Sequence, residues 1–386
     1  MSLRPLPATY TILHTESSLG WGGQERRILA EAEAMQRRGH RLLLACDPRG
    51  ELYRRARGRG FPSFPLICGG MRSLGAWRRL RRLLREQAID VLNTHSSLDS
   101  WIGALAWRSL RNRPHLVRTR HLSTRVRNNL PTRWLYRAPG AVISTGEVTR
   151  QILRQRLGVP ASRLFSIPTG VSLEEFSPRE KDRELLARLQ IPEGALVLGT
   201  VAVLRSWKGH LYLLEALADL VRAGEPAYLL VVGEGPYRVV IAEKVRELGL
   251  EAWVRLVGYQ DEVAPWLALM DAVILASYAN EGVPQSLLQA MAMAKAVVGS
   301  AVGGIPEVVL QDQTGLLTPP RDATALTLAL RRLLADARHR RELGRRGREL
   351  VAARFSVEQM AAAVEAVYQG LSQRPAGATL GSPGKP

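Results

Sequence analysis

Lysine is nearly missing from this chain: five residues in 386, at 181, 208, 244, 295 and 385, against 49 arginines. Cysteine is scarcer still. Cys46 and Cys68 cannot build a disulfide framework and have no metal-ligand spacing, so both read as reduced core residues of a cytosolic protein. No apolar run is long enough to span a bilayer, and Met1 to Tyr10 lack the apolar core of a signal peptide. No His/Cys cluster is spaced for ligation, no Asp-x-Asp occurs, and the Gly-x-Ser-x-Gly elbow is absent. The expectation is a cytoplasmic protein that needs neither a metal nor a resident cofactor.

Acidic residues are scarce in one half only. Residues 1–175 hold 30 arginines, no lysine and 12 acids, a net of +18, while the remainder carries 24 basic against 23 acidic residues. Arg78-Arg79-Leu80-Arg81-Arg82 and the stretch from Arg108 to Arg133 are the densest parts. Such a surface attracts anionic partners: a lipid leaflet, a phosphorylated glycolipid or nucleic acid. The bland alternative is a solvated face in an arginine-biased chain, but bias alone would not confine the excess to one half.

What is present is alternation. In the first half, strand-like runs at Tyr10–His14, Arg41–Cys46, Val91–Thr94, Leu116–Arg120, Ala141–Ser144 and Leu164–Ile167 are separated mostly by helical patterns such as Gly23–Arg38 and Leu74–Glu86. Along the latter, Leu74, Trp77, Leu80, Leu83 and Leu84 share a face. From Val171 to about Ile191 the chain reads as a linker with a short helix. The second half repeats the alternation, with strands at Leu196–Val203, Tyr228–Gly233, Val254–Val257, Ala272–Leu275, Ala296–Gly299 and Gly315–Leu317. This pattern predicts an α/β fold of two doubly wound, Rossmann-like domains facing a central cleft where two substrates can meet. The expected divisions are 1–175, 176–355, a final amphipathic helix at 356–371, and a Gly/Pro-rich disordered tail at 372–386.

The chemistry gathers at strand-to-helix turns, where helix N-termini favour negative charge. Gly22 and Gly23 join the first strand to the first helix and let a ligand approach the backbone. Arg205 and Lys208 offer two cations at a turn of the second half; where arginine is the default, a lysine points to a compact ammonium facing a leaving phosphate. Glu281-Gly282-Val283-Pro284-Gln285 follows another strand, with Gln289 two helical turns on, and Glu281 can accept from sugar hydroxyls. Glu307 follows Gly303-Gly304 at an expected helix start, where the dipole alone would also favour an acid. His95 and His121 end two strands of the first half, where imidazoles can bind hydroxyls or move protons, though a core or surface histidine is the plain alternative. Acid and cations together fit a sugar nucleotide.

Taken together these motifs resemble the large retaining glycosyltransferase family four, with its GT-B arrangement of two Rossmann-like domains. The resemblance runs from about Thr11 to Leu371 and is strongest over Val201–Gly209 and Asp271–Leu317. It implies a donor nucleotide sugar in the C-terminal domain, an acceptor in the N-terminal one, and a last helix packed back on the first domain. Gly22 and Gly23 match the glycine turn near the donor diphosphate and acceptor, His121 the histidine facing the transferred sugar, and Lys208 the diphosphate lysine. Glu281 matches the first of two glutamates eight apart, which orients the donor sugar. Three positions depart from the family: Gln289 stands for the second glutamate, Val203 for the arginine five before the lysine, and Thr169 for the asparagine before the interdomain Gly-Val. These touch donor preference rather than fold.

The reading is a metal-independent retaining hexosyltransferase with His121, Lys208 and Glu281 as candidate catalytic residues. Arg205, Gly22, Gly23 and residues 282–285 and 289 would join Lys208 and Glu281 on a UDP-sugar, with His95 and Glu307 on sugar or acceptor. The acceptor expected from the basic half is an anionic, lipid-linked glycan of a bacterial envelope, such as lipopolysaccharide, at the inner face of the cytoplasmic membrane. A sugar-nucleotide epimerase on the same fold and an arginine-rich nucleic-acid-binding protein are the alternatives; no nucleic-acid recognition motif is present, and none is the expected partner.

Overall fold

The computed structural model describes residues 8–121 and 126–372. The expectations for the leader at 1–7 and for the tail at 373–386 lie outside the described residues. The chain forms two compact units: one runs through Gly170 and resumes at Val357, the other is Val171–Ser356.

Among the described residues the first unit holds strands β1 (Thr11–Glu16), β2 (Arg41–Cys46), β3 (Ser63–Pro65), β4 (Val91–Thr94), β5 (His115–Arg120), β6 (Ala141–Ser144) and β7 (Leu164–Ser166). They pair in parallel throughout, in the order β3-β2-β1-β4-β5-β6-β7. Its helices are α1 (Gly23–Arg37), α2 (Glu51–Gly58), α3 (Arg72–Glu86), α4 (Ser97–Arg108), α5 (Leu130–Arg137) and α6 (Glu147–Leu157). Continuous apolar strands such as Leu42-Leu43-Leu44-Ala45 are buried because helices cover both faces of a parallel sheet.

The second unit holds α7 (Arg183–Arg188), β8 (Val197–Val201), α8 (His210–Arg222), β9 (Tyr228–Val232), α9 (Arg238–Glu247), β10 (Val254–Gly258), α10 (Ala264–Leu269) and β11 (Ala272–Leu275). It continues with α11 (Gln285–Ala292), β12 (Ala296–Ser300), β13 (Leu316–Thr318), α12 (Ala323–Ala335) and α13 (Ala337–Arg354). Its sheet is ordered β10-β9-β8-β11-β12-β13 and is also parallel. Each sheet winds outward from its first strand and then reverses, so each is doubly wound, with a switch point at β1/β4 and at β8/β11. The last helix, α14 (Val357–Ser372), returns to the first unit, where Met360, Ala361, Val364, Val367, Tyr368 and Leu371 are buried in the core with α1 and β1.

Three expectations change. Val171–Ile191 is not a linker: Val171, Phe176, Leu186 and Ile191 are buried in the second unit's core, which sets the division at Gly170/Val171. Leu74 does not join the buried stripe of α3, for it is 54% exposed while Leu80, Leu83 and Leu84 are buried. Helix α2 and strand β3 have no counterpart in the sequence reading, because α2 buries only Leu52 and Ala56 among arginines and β3 is three residues long. Both cysteines are free, Cys46 buried and Cys68 half-buried. No helix among the described residues is long and apolar enough to cross a membrane.

Candidate active site

In the second unit the loops after β8, β11 and β12, three adjacent inner strands of a parallel sheet, lie together at the carboxyl ends of those strands. The first two are joined by a backbone bond from Tyr278 N–H to Trp207 carbonyl (2.8 Å). Gly209 permits that closeness. Its φ is +72°, and a Cβ there would stand 1.8 Å from the Ala276 carbonyl oxygen. Gly303 does the same for the third loop, with φ +57° and a Cβ position 2.2 Å from the Glu281 carbonyl oxygen.

This folding brings together two residues that the sequence assigns separately to a ligand. Lys208 Nζ donates to Glu281 Oε1 at 2.5 Å, and Ser277 Oγ donates to the same oxygen at 2.6 Å. Glu281 is 6% exposed and the Lys208 side chain 19%, so the carboxylate is inside and the ammonium reaches outward. Glu281 is therefore first the counter-ion of Lys208. Beside them Arg205 is exposed, its guanidinium 5.6 Å from the Trp207 ring.

Gly282 lies against Gly304, whose Cβ position would be 2.6 Å from the Gly282 carbonyl carbon. Val283 packs on the core, Pro284 precedes α11 without any side-chain cap, and Gln285 and Gln289 are half-buried on that helix. Glu307 departs from expectation: it ends a three-residue 3-10 turn, Ile305–Glu307, and no α-helix starts there. The dipole argument for an acid at that position falls away.

In the first unit the glycine turn sits after β1. Gly22 is extended (φ −132°), and its N–H donates to Glu25 Oε2 at 2.7 Å in a capping box, so that donor is already engaged. A Cβ on Gly23 would meet nothing within 4 Å, and one on Gly22 only Glu25 Oε2 at 3.4 Å, so packing demands neither glycine. Ahead of the turn, Glu16 accepts from Ser17 and Ser18 N–H, each at 2.7 Å, and pins the loop. Burial first, then Asp99, push its carboxyl up to about 7.

His95 is not a surface imidazole. It is 3% exposed, and its ring nitrogens lie 2.8 Å from His14 Nδ1 and 2.9 Å from His121 Nε2, which leaves none for a substrate. His121 is half-buried at the end of that row. Around it Thr119 Oγ1 donates to Asn93 Oδ1 (2.9 Å), Asn93 Nδ2 to Tyr368 Oη (3.1 Å), and a fully buried Arg27 pairs with Glu31 at 3.4 Å. Sequence reasoning missed Ser277, Glu16 and His14. Ser277 and Glu16 look ordinary in sequence, and His14 carried one weak signal, a polar side chain inside an apolar strand.

Among the described residues no group of three His, Cys, Asp or Glu side chains is placed to hold a metal ion. Two family models match: Glycosyltransferase Family 4 over residues 21–175 and Glycosyl transferases group 1 over residues 181–350. The chain is 35% identical over 178 residues to N-acetyl-alpha-D-glucosaminyl L-malate synthase of Bacillus anthracis, covering 46% of each. It is 26% identical over 293 residues to lipopolysaccharide 1,2-N-acetylglucosaminetransferase of Salmonella typhimurium, covering 73% of each. Several curated relatives that it matches are spanned over only 30% to 62% of their own length. The structure of Anabaena Alr3699/HepE in complex with UDP shares the fold, with TM-score 0.79, 19% identity, and 93% and 100% of the two chains covered. Two doubly wound sheets, each unit matched by its own model, place this chain in glycosyltransferase family four with the GT-B fold.

Proposed function

We propose that this protein is a retaining glycosyltransferase that moves a hexose from a UDP-sugar to an anionic, lipid-linked glycan acceptor in bacterial envelope synthesis. The observation that carries this reading is the Lys208–Glu281 pair at the strand ends of the second unit, with Arg205 exposed beside it. A diphosphate arriving there meets an ammonium already held in place, and such preorganised charge supplies several kcal/mol at a departing phosphate. In the reaction the bond from the anomeric carbon to the phosphate oxygen breaks. The acceptor hydroxyl bonds to that carbon on the same face, and its proton passes to the leaving phosphate. The products are the lengthened glycan and UDP.

Relatives support the substrate classes. HepE is a UDP complex, and the Salmonella enzyme acts on lipopolysaccharide. Residues of the second unit are the candidates for the donor, and His121 and the Gly22-Gly23 turn of the first are candidates for sugar and acceptor hydroxyls. No cofactor enters this scheme. Binding to an anionic membrane surface rests on α3, where Arg72, Arg78, Arg79, Arg82 and Arg85 are exposed beside a fully exposed Met71 and a half-exposed Leu74. Each arginine near such a surface contributes about 1 kcal/mol.

A thermal-shift panel of nucleoside diphosphates is expected to show UDP stabilising the protein, and a UDP-sugar assay with anionic glycolipid to give an α-linked product from an α-linked donor. Full activity in Lys208→Ala, or conversion of the sugar nucleotide without any acceptor, would defeat this reading.

A further inference from the structure

Three histidines of the first unit stand in a row across neighbouring strands. His14 lies on β1, and His95 and His121 each follow the last residue of β4 and β5. Thr15 pairs with Thr94 and Thr94 with Arg118, so each imidazole sits two residues further along than the one before, on one face of the sheet. His14 Nδ1 lies 2.8 Å from His95 Nε2, and His95 Nδ1 lies 2.9 Å from His121 Nε2. Successive rings stack at 5.1 Å with a 30° tilt. The two end nitrogens, His14 Nε2 and His121 Nδ1, are buried and have no partner among the described residues.

Burial, the largest influence, holds His14 below the usual imidazole range and His95 and His121 well below it. Arg27 of α1 pushes all three the same way, and Arg120 of β5 adds to this at His121, while Glu31 of α1 opposes it at His14. Tyr368 of α14 closes the polar cluster through Asn93.

A neutral imidazole has one N–H and one lone pair. Two hydrogen bonds through three such rings therefore run in the same direction. If His14 donates, His95 donates too and the His121 proton must sit on Nδ1. If His121 donates from Nε2, every ring is the Nε2–H tautomer and His121 Nδ1 presents a lone pair. Glu31 is the acid that acts on His14, against Arg27, and the ring nitrogen not taken up by His95 is Nε2; a proton favoured there corresponds to the second arrangement.

We propose that His14 and His95 are positioning residues for His121: the three rings form one hydrogen-bonded unit that fixes His121 as the Nε2–H tautomer and presents Nδ1 as an acceptor to a sugar hydroxyl. The sugar half of this inference rests on the proposed role of His121; the coupling of the rings does not.

The test is long-range proton–nitrogen NMR on the full chain with nitrogen-15 histidine, alongside steady-state transfer of a UDP-sugar. In the wild type, His14, His95 and His121 are expected as Nε2–H tautomers, with His95 and His121, held well below the usual imidazole range, staying neutral between pH 8 and 5.5. In His95→Leu, His121 loses its single tautomer and begins to titrate. The kcat falls on the order of tenfold, and KM for the donor stays within about twofold. Should His95→Leu fail to fold, His14 serves instead. Its Asn variant keeps an acceptor oxygen where Nδ1 stood and preserves the His121 tautomer, whereas its Leu variant releases it. A His121 that keeps its tautomer and stays untitrated in His95→Leu or His14→Leu overturns the coupling. Undiminished transfer by His121→Ala overturns the sugar-facing role alone, with the NMR result left to judge the chain of rings.

Discussion

Lys208 and Glu281, 73 residues apart, meet on neighbouring loops with Nζ 2.5 Å from Oε1, and Ser277 Oγ shares that same oxygen. The cation proposed to meet a phosphate is thus held by a buried carboxylate in the protein by itself. The carboxylate both orients the ammonium and competes for it.

Removing the charge should separate these two effects. In Glu281→Gln the amide still reaches Ser277 and Lys208, but the ammonium loses its counter-ion. UDP is expected to bind more tightly, by a few-fold, while kcat falls by about a hundredfold because the ammonium and donor sugar lose their charged acceptor. Calorimetry with UDP and a transfer assay give both numbers, and weaker UDP binding would contradict the competition.

Ser277 is 0% exposed and its hydroxyl donates to Glu281, so Ser277→Ala removes one hydrogen bond from a buried carboxylate. A loss of about 1–3 kcal/mol in urea unfolding is expected. A double-mutant cycle with Lys208→Ala should show coupling of at least about 0.5 kcal/mol; strict additivity would mean the two donors act independently.

Two glycines should behave oppositely. Gly209→Ala puts a Cβ 1.8 Å from the Ala276 carbonyl oxygen at φ +72°, so the β8 and β11 loops must separate, at a cost of about 3 kcal/mol. Gly23→Ala meets nothing and should leave stability within about 0.5 kcal/mol. If a ligand approaches there, kcat/KM falls all the same. Chemical denaturation and kinetics on the two variants decide this, and a fully active Gly23→Ala protein would remove the turn from the site.

His210 is 3% exposed at the start of α8, and burial, with Lys208 second, pulls its imidazole down to about 4 from the usual 6.5. Between those values the unfolded chain binds the proton and the folded one does not, so stability rises with pH through that window and is lost as pH falls from 6.5 towards 4. His210→Phe abolishes this share of the pH dependence. Unfolding free energies at pH 7 and 4.5 should differ by about 2–3 kcal/mol less in the variant than in the wild type. Equal differences would show His210 protonated in the fold.

Much of the candidate site was legible because it breaks local habits. Lys208 stands out in an arginine-rich chain, and Glu281 precedes a Gly-x-Pro at the end of an apolar strand. What could not be read is that these two would be partners, or that Gly209 is needed for a carbonyl 67 residues away. Spacing along a chain carries no information about which loops a sheet sets side by side. His95 shows the same limit. As a residue closing a strand it read as facing a substrate, yet neighbours on both sides enclose it.

The sequence alone determined the alternation of apolar strands and amphipathic helices, and so the two doubly wound sheets, since period and burial are local properties of a chain. It also determined where charge and glycine gather, because turns tolerate them. Tertiary structure alone decided the strand order, β1 beside β4 beside β5 and β8 beside β11, and with it every partnership across the sheets. His14 could join His95 and His121 only once those three strands were neighbours, because a hydrogen bond between side chains depends on separation in space, which pairing of distant strands sets.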